Sequence, residues 1–153
     1  MREHKYRGLT KKEGWVYGDL VHKNRIKYPI IHFYDCNGFE CCYEVDPKTV
    51  GEYTGLHDSK RTEEYPEGQE IYEGDIVKRE TGCLGDEYDG FIGIVKFVEA
   101  AFVIESFDGK DGTSLGDDVA ELEVLGNIYN NTDLLNQNSN WSKHYIHRFE
   151  RTV

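Results

Sequence analysis

The alternation of apolar and polar residues predicts β-strands along most of this chain. Residues 15–22 and 29–34 are dense in β-branched and aromatic side chains and are bounded by Gly, Asn and Pro, which is typical of strands. Between residues 29–34 and the next apolar run at 40–45, the pair Asn37-Gly38 predicts a two-residue hairpin of type I′, since that turn needs two positive φ angles. The first third of the chain is therefore expected to contain paired strands.

A second group of strands is predicted after a long polar segment. The segment 57–69 shows neither the helical nor the strand period and contains Pro66 and Gly68, so it is expected to be an acidic loop. Four further strands are predicted between Gly- and Asp-rich turns, at residues 76–80, 90–98, 101–107 and 121–128. This rhythm is typical of a small β-barrel. The expected core of the barrel is made of Val95, Phe97, Phe102, Ile104 and Val124.

Two short helical elements complete the prediction. Asp46 and Pro47 are suited to the N-cap and the first position of a single helical turn at 46–50. Residues 131–135 predict a short helix before an Asn- and Ser-rich tail. The spacing of four between Trp141, Tyr145 and Phe149 leaves a docking helix in the tail as an alternative.

The predicted fold class is mainly β, a small barrel with an N-terminal β extension and a short C-terminal helix or tail. A chain of 153 residues can bury one compact core. Within one domain we predict four regions, which are an N-terminal β region at 1–56, the acidic loop at 57–69, the barrel at 70–135 and a tail at 136–153. No run of residues has the apolarity of a signal peptide or a membrane span, so we expect a soluble, cytoplasmic protein that does not contact the membrane.

Charge is distributed unevenly and suggests where partners could bind. The net charge of −11 hides about +5 in residues 1–30 and about −17 in residues 31–128. Aromatic side chains lie among the N-terminal cations, and we predict an interaction surface consisting of Arg2, Lys5, Arg7, Lys11, Lys12, Trp15 and Tyr17. This basic segment could pack on the acidic body of the same chain or of another subunit, or it could bind nucleic acid by stacking and phosphate contacts. The acidic body opposes a polyanion, so nucleic-acid binding is expected to be weak and independent of sequence.

Several ordered sequence blocks resemble one family. The blocks EVDPKTVGEYTGLHD (44–58), EIYEGDIVK (70–78), GIVKF (93–97), AFVIE (101–105) and EVLGNIYNNTDLL (123–135) together resemble the YopX family of small phage and prophage proteins. The resemblance implies a mostly β fold with an SH3-type barrel and no established activity. It also implies a set of signature residues that shape the fold, namely Thr54, Gly55, Leu56, Glu70, Ile71, Tyr72, Gly74, Asp75, Gly126, Asn127, Ile128 and Tyr129. The longer loop at 57–69 and the residues after Leu135 depart from the family pattern.

Candidate chemistry is sparse. Glu73 and Asp75 could act as an acid and base pair, but neighbouring carboxylates are expected by abundance among 29 acidic residues. Acidic turns near residues 86–89 and 108–111 lack the ligand spacing of a calcium loop. The chain contains no phosphate-binding loop and no nucleophile elbow.

The candidate ligands for a metal site are His32, Cys36, Cys41 and Cys42. In a two-residue hairpin Cys36 lies opposite Phe39 and Cys41 opposite Tyr34, while Cys42 points to the other face. That arrangement is too open for zinc or for a disulfide, and Cys83 is isolated, so we expect four free thiols, no metal and no cofactor.

The sequence therefore predicts a non-enzymatic phage accessory protein that binds protein or its own copies. A homodimer is favoured, and a host or phage protein is a further possible partner. Weak nucleic-acid binding through the basic segment is the alternative, and a hydrolase is the third.

Overall fold

A computed structural model describes residues 3–22, 24, 27–117 and 119–136. The chain divides into two compact units, residues 1–55 and 56–153. Among the described residues, no helix is both long and apolar enough to cross a membrane. Residues 137–153, including the possible docking helix at Trp141, Tyr145 and Phe149, lie outside the described part.

The first unit is an antiparallel sheet. Its elements are β1 (Tyr6–Leu9), β2 (Trp15–Val21), β3 (Ile30–Tyr34), β4 (Glu40–Glu44), a 3-10 helix (Pro47–Thr49) and β5 (Gly51–His57), whose last residues belong to the second unit. The strands lie in the order β4-β3-β2-β1-β5. The predicted strands at 15–22, 29–34 and 40–45 are confirmed. The predicted helical turn is confirmed as well, because Asp46 caps the 3-10 helix by accepting a hydrogen bond from the Lys48 N–H at 3.0 Å.

The second unit contains a five-stranded antiparallel sheet. The unit consists of β6 (Glu70–Tyr72), β7 (Asp75–Glu80), β8 (Phe91–Val98), β9 (Ala101–Glu105), β10 (Gly112–Ser114), β11 (Glu121–Asn127) and α1 (Thr132–Asn136). All of these strands except β6 form the five-stranded sheet. The sheet order is β10-β9-β8-β7-β11. The mainly β class and the short helix are confirmed. Because β10 and β11 lie at opposite edges, the strand order does not describe a closed barrel, and the SH3-type barrel stays a prediction.

Each unit has its own apolar core. In the first unit Val16, Ile31 and Val45 are buried on one face of the sheet. The core of the second unit consists of Ile71, Val77, Phe91, Val95, Ile104, Leu115 and Leu122, with Phe102 and Val124 packed against it. The prediction for Phe97 is wrong, because its side chain is 46% exposed. Phe97 is two residues after Val95 and therefore lies on the same face of β8. It lies near the end of the strand, however, beyond the buried cluster.

Four strands escaped the sequence analysis, namely β1, β5, β6 and β10. Three of them have only three or four residues, and β1 is interrupted by a glycine. Gly8 lies where Val45 packs against the backbone, and a Cβ there would meet Val45 side-chain atoms at 2.6 Å. The glycine that weakens the strand pattern in the sequence is therefore required by packing in the fold.

The hairpin between β3 and β4 differs from the predicted type I′ turn. The Asp35 N–H donates to the Phe39 carbonyl at 2.9 Å, which leaves a loop of three residues, 36–38. Of the pair Asn37-Gly38 only Gly38 has a positive φ, of 81°. One carboxylate oxygen of Asp35 accepts hydrogen bonds from the N–H groups of Asn37 and Phe39, each at 2.9 Å. This side chain favours the longer loop, a common alternative in which Gly adopts the left-handed conformation.

The longer loop shifts the strand register by one residue. Tyr34 lies opposite Glu40, and Cys42 lies opposite His32. The predicted pairing of Cys41 with Tyr34 is therefore wrong, and so is the expected separation of Cys42 from the face that carries His32. Side chains alternate between the two faces of a strand, so one residue of register decides which of them meet.

The turn between β8 and β9 contains two non-glycine residues in an unfavourable conformation. Glu99 and Ala100 have φ angles of 49° and 65°, which is the type I′ geometry that Asn-Gly prefers. We expect the double substitution Glu99→Asn and Ala100→Gly to raise the free energy of unfolding by about 1 kcal/mol, because strain at both positions is relieved. Urea unfolding followed by circular dichroism measures the change.

The adjacent substitution Ala101→Gly is the control for this prediction. Ala101 is exposed and lies in β9 without a positive φ, so glycine there should destabilise the protein by about 0.5–1 kcal/mol. If the Asn-Gly variant is also less stable than the unsubstituted protein, the turn is not strained as described.

Candidate functional site

The predicted interaction surface is only partly available to a partner. Arg7 is buried, and its guanidinium lies 4.7 Å from the ring centroid of Trp15. The Lys5 ammonium lies 5.5 Å from the centroid of Tyr53. Lys11, Lys12 and Tyr17 are exposed, whereas Arg2 lies outside the described residues. Arg7 and Trp15 therefore support the first sheet, and the exposed part of the predicted surface is the β1–β2 hairpin.

The face of the first sheet opposite its core, which we call the outer face, gathers polar and aromatic side chains. Asp19 on β2 lies opposite His32 on β3, and His32 lies opposite Cys42 on β4. Glu40 and Tyr34 belong to the same face, because each is two residues from a member of this row. The three strands thus converge on His32.

His32 has four functional neighbours. Its Nε2 lies 2.9 Å from an oxygen of Glu40, and its Nδ1 lies 3.9 Å from an oxygen of Asp19. The ring of Tyr34 meets the imidazole edge to face, with the centroids 5.2 Å apart. Donor atoms of His32, Glu40 and Cys42 all lie within 4.8 Å of one another. We call His32, Glu40 and Cys42 the His32 cluster.

The sequence analysis missed the His32 cluster for two reasons. The residue types were noticed, but Cys42 was assigned to the wrong face, and Glu40 was not considered. The one usable signal was Asp35 immediately before the turn, since an Asp in this position favours a type I turn.

The signature stretch 70–78 is a structural turn. Gly74 has a φ of 93° between β6 and β7. The buried Asp75 accepts a hydrogen bond from the Tyr72 N–H at 2.7 Å, three residues before it. The Gly74 N–H donates to the carbonyl of Val95 at 2.9 Å, and its carbonyl accepts from the Ile128 N–H at 3.0 Å. The turn thus links β8 and the chain after β11.

The remaining signature residues include residues that stabilise turns and residues at both buried and exposed positions. Asn127 accepts hydrogen bonds from the N–H groups of Tyr129 and Asn130 at 2.9 and 2.8 Å. Gly126 lies against Asn131, whose side chain would clash with a Cβ at this position. Within 54–56, Thr54 is buried, whereas Gly55 and Leu56 are exposed. The signature set thus includes several residues that fix turns.

A buried arginine organises one end of the second unit. Arg79 on β7 has a side chain only 5% exposed, and it donates to Asp86 at 3.0 Å, to the Tyr88 carbonyl at 3.2 Å and to Asp117 at 2.6 Å. The hydrogen bond from Thr81, together with those from the Tyr88 N–H and Arg79, lowers the pKa of Asp86. The hydrogen bond from Arg79, together with that from the Val119 N–H, lowers the pKa of Asp117.

In other acidic turns, the carboxylates accept hydrogen bonds from nearby groups of the chain. One oxygen of Asp89 accepts from the N–H groups of Thr81 and Gly82 at 2.9 and 3.1 Å. The Ser106 hydroxyl donates to Asp108 at 2.6 Å, and this bond, with the one from the Lys110 N–H, lowers the pKa of that carboxyl group. Asp89 and Asp108 therefore stabilise the turns in which they lie.

Comparison with known proteins identifies a family. The sequence model of a family described as YopX protein matches residues 5–136 of this chain. Neither the curated proteins nor the solved structures gave a significant match.

Proposed function

This chain belongs to the YopX family, and we propose that it is a phage or prophage accessory protein that acts by binding protein in the bacterial cytoplasm, in the first place a second copy of itself. We propose further that it has no catalytic activity, and that β6–β11 form an SH3-type small barrel. A bulge in β11 between Val124 and Gly126 supports the barrel, because bulges bend strands as barrel closure requires.

The observation that carries the binding proposal is the exposure of aromatic side chains on the first unit. Tyr17 is 43% exposed and Tyr34 is 65% exposed, both on the outer face, and Phe39 is exposed at the neighbouring hairpin. Aromatic residues are enriched in the parts of interfaces that contribute most binding energy. Exposed aromatic side chains grouped on a small sheet indicate a surface that binds another protein molecule.

Charge favours a second copy as the partner. Residues 1–55 contain nine Lys and Arg against eight Asp and Glu, whereas residues 56–153 contain nine against 21. Lys11 and Lys12 are exposed in the loop of the β1–β2 hairpin, and Tyr17 is exposed on β2 of the same hairpin. In a dimer, the basic hairpin of each copy would contact the acidic unit of the other copy. The two contacts would be equivalent, which is the condition for a symmetric dimer.

We expect a dimer mass by light scattering at micromolar concentration. The triple variant Tyr17→Ser, Lys11→Glu, Lys12→Glu should weaken dimerisation at least about tenfold, equivalent to about 1.4 kcal/mol, because it removes an aromatic anchor and reverses two charges. Lys110→Glu, on an exposed loop of the second unit, is the matched charge control and should leave the mass unchanged. A monomer mass at both low and moderate salt would contradict the proposal.

The alternative of nucleic-acid binding has less support. Arg7 is buried, and Lys11 and Lys27 lie 5.8 and 5.4 Å from the centroid of the same Tyr28 ring. That aromatic face is therefore already occupied by cations of the chain. Among the described residues of the first 30, the exposed lysines are Lys11, Lys12 and Lys27. With about three phosphate contacts from these lysines, the logarithm of affinity should fall with the logarithm of salt with a slope near −3.

A hydrolase based on Glu73 and Asp75 has the least support. Asp75 is buried and its carboxylate holds the Tyr72 N–H, so its contacts are those of a residue that fixes a turn.

A further inference from the structure

We propose that the His32 cluster is a zinc-binding site on the outer face of the first sheet, with His32 Nε2, Glu40 and the Cys42 thiolate as ligands and Asp19 as the residue that orients the imidazole. The proposal goes beyond the proposed function and does not depend on association. The expectation that the chain holds no metal depended on the two-residue hairpin, and the observed register removes that argument.

The donor set fits zinc. Imidazole, thiolate and carboxylate are the three side-chain types that bind Zn²⁺, and sites with three protein ligands keep a fourth position for water or another ligand. A thiolate also disfavours Mg²⁺ and Ca²⁺, which prefer oxygen ligands. Together with Asp19, the deprotonated cluster carries three negative charges, which favour a dication.

The spacing requires only small adjustments. Ligand atoms on a four-coordinate zinc lie about 3.3–3.5 Å apart when the bonds are 2.0–2.3 Å long. The cluster donors lie within 4.8 Å, and the hydrogen bond between His32 and Glu40 is 2.9 Å. The side chains of Glu40 and Cys42 are exposed, so they can rotate by the roughly 1 Å that coordination needs without disturbing the core.

Asp19 lies where a carboxylate usually supports a metal-bound imidazole. Imidazoles that bind metal through one nitrogen usually donate the other N–H to a carboxylate, which fixes the tautomer and increases ligand basicity. Asp19 lies on the Nδ1 side of His32 at 3.9 Å, which is longer than a hydrogen bond, while Nε2 points to Glu40. The Asp19 side chain is exposed, so it can rotate to accept the Nδ1–H. The imidazole is thus placed between a ligand carboxylate and an orienting carboxylate.

Cobalt substitution tests the site directly. Untagged protein, reduced with a phosphine and freed of metal, is titrated with Co²⁺, which reports thiolate ligation as near-ultraviolet charge-transfer absorption. We expect one Co²⁺ per chain with this band and with the visible bands of four-coordinate cobalt, and we expect added Zn²⁺ to bleach both. Absence of the band in the unsubstituted protein would overturn the proposal.

The four cysteines provide matched controls, since all four are free thiols. Cys42→Ser should abolish the charge-transfer band, whereas Cys36→Ser, Cys41→Ser and Cys83→Ser should retain it. Circular dichroism confirms that each variant is folded. A band that survives Cys42→Ser, or that is lost with Cys36 or Cys83, would assign the metal to another site.

Asp19→Asn separates the orienting role from ligation. This variant should retain the band but bind Co²⁺ about 10–100-fold more weakly, which is the usual effect of removing such a partner. Because thiolate ligation displaces a proton, affinity should also fall as the pH is lowered. Unchanged affinity in Asp19→Asn would show that Asp19 has no part in the site.

Discussion

Replacing Arg79 with Met is expected to lower the free energy of unfolding by about 3 kcal/mol, which is a large part of the stability of a small domain. The guanidinium is almost fully buried and joins β7 to Asp86 and Asp117. Removing one partner of a buried charge network typically costs about 3–5 kcal/mol. The lower end applies because the side chains of Asp86 and Asp117 are 21% and 32% exposed, so water can partly solvate them.

Lys78→Met is the matched control for Arg79. Lys78 is the preceding residue on β7 and forms an ion pair with Glu80 at 2.8 Å, but both side chains are substantially exposed. Exposed ion pairs contribute little, so this variant should lose less than about 1 kcal/mol. Urea unfolding of both variants measures the difference. Equal losses would mean that burial of Arg79 does not determine its contribution.

The same network predicts sensitivity to acid. Folding lowers the pKa values of Asp86 and Asp117 below the ordinary 3.8, so the unfolded chain binds protons more readily than the folded one. The stabilisation is fully present above the ordinary carboxyl range and is lost as the pH falls below 3.8 through the folded pKa values. Stability measured from pH 6 down to pH 3 should therefore fall less steeply in Arg79→Met than in the unsubstituted protein.

Asp58→Ala is expected to cost about 2–4 kcal/mol, although the residue lies in the loop that departs most from the family pattern. Asp58 is buried, and its two carboxylate oxygens accept from the N–H groups of Gln69 and Val124 at 2.9 and 3.1 Å. A buried donor left without a partner costs about 1–3 kcal/mol. The lower part of that range applies to each of these two donors, because Gln69 and Val124 are only half-buried. The neighbouring Ser59 exchanges backbone and side-chain hydrogen bonds with Leu122, so this short segment secures β11.

Glu67→Ala provides the comparison within the same loop. Glu67 is exposed, so its removal should change stability by no more than about 0.5 kcal/mol. Thermal or urea unfolding distinguishes the two variants. If Asp58→Ala is as mild as Glu67→Ala, the loop can rearrange to hydrate both donors, and the anchoring role of Asp58 is wrong.

At the candidate site, an error of one residue in the predicted strand register changed the conclusion about metal binding. The sequence alone identified the β3 and β4 strands and the turn residues between them. It could not choose between a two-residue and a three-residue loop, because Asn-Gly is compatible with both. The Asp35 side chain, which holds two backbone N–H groups, favours the longer loop, and this choice moves Cys42 to the face of His32.

The predicted basic surface shows a second limit. Composition correctly located cations and aromatic residues in the first 30 positions, but it could not show that Arg7 stacks on Trp15 and is buried. Alternation along β1 and β2 would place both residues on one face, yet β1 was not recognised, because four residues with a central glycine give little periodic signal.

The sequence by itself determined the mainly β class, the family and the positions of the longer strands, because these depend on local periodicity and turn residues that each segment carries. Tertiary structure decided the division into two units, the open strand order of the second sheet, the burial of Arg79 and Asp58, and the register at His32. Those features depend on contacts between residues distant in the chain. Asp58 and Val124, for example, are 66 positions apart, and no local pattern specifies that they meet.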